Sequence, residues 1–284
     1  MKAYLFLLFL NILIFQSCAK YVQVFETESD KARIKNSKYF FENDSVQIYF
    51  NFWSDNGVLE YEIFNKLDIP LYIDWKKSSF IVNSENIDYW NDKETNLSVG
   101  LYTEYLYKTN PDYSLIAKNK GINTSYSVSV KEERIAFIPP KSKLKQNKFY
   151  IFPFSSFDLP KTTKIKEIKR FDNPKKETKV YEKSYSKDDS PLIFRNFLTF
   201  AITEEFHNEF YVDNEFYINK ISEMDLRNFE KIKKDEYGRI TVNEYNDPIY
   251  ISPYYTNTSF FVRIPWSESV RVKKIVVFPK KRRI

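Results

Sequence analysis

Apolar and polar residues alternate strictly through much of this chain. Val46, Ile48, Phe50 and Phe52 share one face of an extended segment, with Gln47, Tyr49 and Asn51 opposite. Leu59, Tyr61 and Ile63 repeat the pattern against Glu60, Glu62 and Phe64. A period of two marks a half-buried strand. Between the runs stands Asp55-Asn56-Gly57, and Asn-Gly tolerates the positive φ that a tight turn needs. Residues 46–64 are therefore expected to form an antiparallel hairpin.

The same pattern continues downstream. Ile69, Leu71, Ile73 and Trp75 alternate with Tyr72 and Asp74, and Phe80 and Val82 follow a Lys76-Lys77-Ser78 corner. Further strands are expected at 134–138, 148–154, 192–203, 209–221, 248–252, 259–266 and 269–278. Pro139-Pro140 and Pro265 should end or edge their strands, because proline cannot donate to a ladder. One helix signal stands out: Ser222 as cap, Asp225 three residues on, then Leu226, Phe229 and Ile232 at helical spacing, with Gly238 as the stop. A shorter helix is expected near 111–119. These elements predict an all-β sandwich with one or two short helices.

Residues 161–191 break the pattern. Ten Lys or Arg lie between Lys161 and Lys187 against four acids, with few apolar residues, which predicts a charged, mobile loop. The strands on either side are alike in kind, so the loop is expected to interrupt one domain spanning residues 18–284.

The first residues have a different character. Lys2 precedes an apolar run from Ala3 to Phe15, broken only by Asn11, and Gln16-Ser17-Cys18 follows. A basic start, an apolar stretch and a small residue before the processing point make a signal peptide. The run is shorter than the ~20 residues that span a bilayer. Cys18 is the sole cysteine, placed where lipid attachment and cleavage would leave it as the new first residue. Residues 1–17 are thus expected to be a lipoprotein signal peptide, with Cys18 carrying the anchor. The other reading is an ordinary secretory signal with an incidental cysteine. With Cys18 lipidated, neither a disulfide nor a thiolate metal site remains possible, and stability must come from a core. The net charge of +6 is mild for 284 residues, which gives an exported chain little claim on nucleic acid.

The stretch from Glu42-Asn43-Asp44-Ser45 through Trp53 and the Asn56-Gly57 turn carries a resemblance. With Asn65 to Trp75, Ser78 to Asn83 and the later Pro139-Pro140-Lys141-Ser142 corner, it resembles a group of Bacteroidetes lipoproteins to which no activity is assigned. The resemblance implies an outer-membrane location and an immunoglobulin-like antiparallel β-sandwich, and it carries over no catalytic residue. Ala19-Lys20-Tyr21-Val22-Gln23 stands where some such lipoproteins have an acid-rich surface-export stretch. The periplasmic and cell-surface faces of the outer membrane both stay open.

Chemistry-bearing residues are sparse. His207 is the sole histidine, flanked by Glu204, Glu205 and Glu209; a solvated hairpin tip is the expectation, since no strained nucleophile turn accompanies it. Asp188-Asp189 lie in the expected loop. Four glycines do not make a phosphate cradle. Trp53, Trp75, Trp90 and Trp266 are expected in the core or at corners. Aromatics reach 18% of the chain, alongside high Lys, Asn and Ile, as in a low-GC genome; the bias also favours strands. No catalytic residue, metal ligand or cofactor is assigned. The expected function is a lipid-anchored, non-catalytic binding or assembly module of the cell envelope. Its expected partners are the membrane, through lipid on Cys18, and another envelope protein or a glycan. The alternative is an enzyme acting on envelope polymers, with two carboxylates across a cleft.

Overall fold

The computed structural model describes residues 21–90, 95–103, 122–130 and 133–264. Cys18, the segment near 111–119, Trp266 and the strand expected at 269–278 lie outside the described residues. The strands begin with β1 (Tyr21–Glu28), β2 (Arg33–Lys35), β3 (Lys38–Glu42), β4 (Val46–Asn51), β5 (Val58–Asn65), β6 (Leu71–Asp74), β7 (Ser79–Val82) and β8 (Glu85–Asp88). Next come β9 (Thr95–Thr103), β10 (Ile122–Val130), β11 (Ile135–Ile138), β12 (Lys143–Tyr150), β13 (Lys164–Lys169) and β14 (Glu177–Ser184). The series ends with β15 (Ile193–Ala201), β16 (Phe210–Asp225), the four-residue helix α1 (Leu226–Phe229), β17 (Lys231–Ile232), β18 (Tyr250–Ile251) and β19 (Ser259–Ile264). The chain is all-β, as the alternation predicts.

Ten strands make one antiparallel sheet along the path β11-β6-β15-β16-β1-β19, with β7–β8 beside β15 and β13–β14 beside β16. Five more form a second sheet in the order β12-β5-β4-β3-β2. Their inner faces meet in a core rich in aromatic rings. Phe50 and Phe52 from the smaller sheet lie 5.0 and 5.1 Å from Phe216 of β16, edge to face, and Phe52 lies 5.4 Å from Phe194 of β15. That geometry sets positive ring edges against negative faces, a gain of about 0.5–1.5 kcal/mol per pair beyond area burial. Val46, Ile48, Leu59, Tyr61 and Ile63 fill the spaces between.

The turn between β4 and β5 also joins the sheets. The Asn56 amide donates to the Phe261 carbonyl at 2.7 Å, and the Phe261 amide to Ser54 at 3.2 Å. Gly57 adopts a φ of +64°, and a Cβ there would lie 2.7 Å from Cγ of Phe260. Only glycine meets both demands.

β16 is the spine of the larger sheet. Its first half pairs with β15, and its second half pairs with β1 on one side and β14 on the other. β1 is buried on both faces: Phe25 points into the main core, while Val22 and Val24 join Val180, Met224, Phe229 and Phe261 in a second cluster. Between β6 and β7 the chain makes a 3-10 turn at Trp75–Lys77, capped by the Asp74 carboxylate, which accepts the Lys76 amide at 2.9 Å. The Ser78 hydroxyl then accepts the Thr199 amide at 3.0 Å and donates to the Asp74 carbonyl at 2.7 Å. A side chain thus replaces the missing ladder bond, as a buried amide requires.

Three sequence expectations are corrected. Residues 161–191, expected as a mobile charged loop, contain the hairpin β13–β14, and β14 pairs with β16. Pairing satisfies its backbone although few of its side chains are buried. The helix expected from Ser222 is short and shifted: Ser222 lies inside β16, opposite Val24 and Glu182, and Asp225 is the cap, accepting the Arg227 amide at 2.9 Å. Strand partners on both sides of Ser222 and Met224 override the helical spacing. The strand expected at 148–154 is β12, which begins at Lys143.

Candidate binding surface

The structure disperses the residues the sequence singled out. His207 sits exposed in the turn between β15 and β16, where Glu209 is taken by Lys77 at 2.8 Å. Asp188 and Asp189 occupy an exposed turn after β14. Trp75 is buried, tilted against Tyr89 at 5.3 Å, and Trp90 packs on the main core. Trp53 stacks on Phe229 at 5.9 Å and meets Tyr255 edge-on at 5.3 Å. Among the described residues no group of three His, Cys, Asp or Glu is arranged to hold a metal ion, and no helix is long and apolar enough to cross a membrane.

A different region gathers exposed aromatic side chains. Residues 231–256 leave α1 and return to β19 as a small meander. β17 pairs with β18, and single bridges join Lys234 to Ile240 and Val242 to Pro248. Three amides close a ring of hydrogen bonds: Lys233 donates to Ile249 at 2.8 Å, Ile249 to Thr241 at 2.9 Å, and Thr241 back to Lys233 at 2.9 Å. These residues recur at eight-residue intervals.

Between them stand two turns of one design, Asp235-Glu236-Tyr237-Gly238-Arg239 and Asn243-Glu244-Tyr245-Asn246-Asp247. Oδ1 of Asp235 accepts the amides of Tyr237 at 3.0 Å and Arg239 at 2.9 Å. Oδ1 of Asn243 accepts those of Tyr245 at 3.0 Å and Asp247 at 2.9 Å. Gly238 and Asn246 take the left-handed fourth position, at φ 79° and 66°, where glycine and asparagine are the favoured residues. Each turn lifts one ring into solvent: Tyr237 and Tyr245 are both 76% exposed. Tyr250, Tyr255, Ile240 and Val242 are exposed around them. The base is fixed, because Asn228 donates to the Tyr254 hydroxyl at 2.9 Å and Phe229 stacks on the Tyr254 ring. Sequence reasoning missed this device, though the Asp/Asn-Glu-Tyr-Gly/Asn repeat was its signal.

Two further features bear on chemistry. Gln23 is fully buried; its amide nitrogen donates to Glu223 and to the Phe157 carbonyl, both at 2.7 Å, while its oxygen accepts the Phe157 amide at 2.8 Å. Burial raises the Glu223 carboxyl above the ordinary carboxylate range; the Gln23 hydrogen bond opposes this and Asp158 adds to it. The outer face of the smaller sheet holds a shallow depression of about 380 Å³ lined by Lys35, Lys38, Lys143, Lys145, Glu60 and Tyr49 among others. Glu62 also lines the depression, and Lys143 pairs with it at 2.7 Å. No protein-family model, curated protein or solved structure matches this chain.

Proposed function

We propose that this chain is a lipid-anchored, non-catalytic binding module of the bacterial cell envelope, held at the outer membrane through Cys18, with the 231–256 meander as its binding surface. The observation that carries this is the pair of like-built turns, each presenting an exposed tyrosine beside a glutamate on a hydrogen-bonded frame. Tyrosine gives a large contact area at low entropic cost. A tyrosine face stacks on the apolar face of a sugar ring, and a neighbouring carboxylate accepts sugar hydroxyls. A device repeated at a fixed interval suits a polymer that also repeats, because the second contact becomes intramolecular once the first is made. The partner is accordingly a glycan strand. The location rests on the signal pattern ending at Cys18 and on the resemblance of residues 42–90, with the Pro139-Pro140-Lys141-Ser142 corner, to Bacteroidetes lipoproteins.

Titration of the full chain with fragments of envelope polysaccharide checks this reading. Tyr237→Ala and Tyr245→Ala should each weaken binding about tenfold, the scale of an interface anchor worth more than 1 kcal/mol, with melting temperature unchanged. Loss of an envelope-protein crosslink in both variants, with no glycan bound by the parent, would make the partner a protein. Release of new reducing ends would favour the enzyme.

A further inference from the structure

We propose that the end of the ten-stranded sheet at which β1 starts is the face that lies on the membrane, with the tip of hairpin β13–β14 seated on anionic lipid headgroups. This rests on lipid attachment at Cys18. Tyr21 is in register with Asp225 of β16 and Ile264 of β19. Only Ala19 and Lys20 separate it from Cys18, so a lipidated sulfur lies within roughly 10 Å of this end along the chain. Ile264, the last described residue of β19, is at the same end.

The hairpin overshoots this end. Val180 is opposite Met224 in an antiparallel ladder, which puts Lys179 level with Asp225. Lys176 follows three residues further out, about 10 Å at 3.3 Å per residue. The tip has a basic excess. Arg170 is paired with Asp172, Arg227 with Asp225 at 2.7 Å, and Lys179 with Glu167 at 3.9 Å. Glu177 lies opposite Lys169 in register. Lys169, Lys175 and Lys176 are exposed and enter no ion pair among the described residues. Lys231 adds a charge 4.2 Å over the Phe171 ring. Lysines held within a Debye length of an anionic leaflet are drawn to it. The anchor brings these within that range.

The far end supplies an internal control. β16 is 16 residues long, so the His207 turn stands on the order of 50 Å from Asp225. The test uses the full chain, purified from cells fed labelled palmitate and reconstituted in phosphatidylcholine vesicles with and without phosphatidylglycerol. Because Cys18 is the sole cysteine and is capped by lipid, Pro174→Cys and His207→Cys each accept one fluorophore. A headgroup nitroxide should quench the label at 174 severalfold more than the label at 207. Each such lysine shifts a surface equilibrium about fivefold, so Lys169→Glu/Lys175→Glu/Lys176→Glu should abolish the quenching at 174, as should omission of phosphatidylglycerol. Equal quenching at both positions would overturn the orientation, and quenching at 174 indifferent to both changes would overturn the seating on anionic headgroups, while palmitate uptake left the anchor standing. A chain that takes up no palmitate and does not float with vesicles would remove both.

Discussion

The hairpins β4–β5 and β13–β14 are both antiparallel and both in continuous register, yet different forces hold them. In β4–β5 every second side chain is buried, and Val46, Ile48, Phe50, Leu59, Tyr61 and Ile63 are at most 1% exposed. In β13–β14 Val180 is the single buried residue, and Ile165 is exposed. The first hairpin is fixed by what its side chains displace from water, about 25 cal/mol for each Å² of apolar surface. The second is fixed by its ladder to β16 and a small cluster in which Ile168 packs beside Val180. A sheet can thus be extended mainly by backbone pairing, and a hairpin added that way leaves most of its surface open to another partner.

Substitution of large side chains should separate the two most strongly. Phe50→Ala removes a ring in contact with Phe52, Tyr61 and Phe216, and should cost about 3–5 kcal/mol in urea unfolding. Ile165→Ala in β13 should change stability by less than about 0.5 kcal/mol. Similar losses at the two positions would show that the second hairpin buries more than its exposure indicates. Glycines give the next contrast. Gly57→Ala combines left-handed backbone strain of about 1–2 kcal/mol with a clash against Phe260, and overpacking a core costs about 1–3 kcal/mol more. Gly238 also has positive φ, but a Cβ there meets nothing within 4 Å, so Gly238→Ala should lose only about 1–2 kcal/mol, the strain alone. Equal losses would mean that Phe260 moves aside.

The same contrast explains what was legible in the sequence. Alternation reveals a strand when one face is buried and the other is wet, so β4 and β5 could be read residue by residue; in β6 it holds at Leu71 and Ile73, whereas Ile69 is exposed before the strand and Trp75 lies in the turn after it. It is silent for β13, where both faces are wet, and a run of lysines there looks like a loop. It also misleads for the end of β16: Leu226, Phe229 and Ile232 have helical spacing, but only the first two lie in α1, and Ile232 pairs with Tyr250 in β17–β18. The exposed setting of His207 was legible, as was the buried setting of Trp75, since composition alone favours both. The tyrosine turns were not found by hydrophobic pattern, because they bury nothing. Their signal is local turn chemistry, an Asx residue followed three positions later by Gly or Asn.

The smallest effect lies where β13–β14 meets the rest of the sheet. Glu223 of β16 is in register with Tyr181 of β14 and with Gln23 of β1, so its charge state reports on the packing of this junction. Burial raises its pKa above the ordinary value of 4.5, against the opposing Gln23 hydrogen bond. In the window between 4.5 and the raised value, the folded state binds more protons than the unfolded state, and stability falls as pH rises. Below that window both states are protonated and the penalty is absent. Glu223→Gln keeps an oxygen for the Gln23 amide and removes the ionisable group. The variant and the parent should therefore melt together at acid pH, and the variant should melt higher once the pH passes through the raised pKa. Melting curves taken across that range check the sign. A parent that gains on the variant as pH rises would mean that the Glu223 carboxylate is stabilised in the folded chain; a difference that does not depend on pH would mean that Glu223 is solvated there, and that the second hairpin seals the sheet less closely than its ladder to β16 implies.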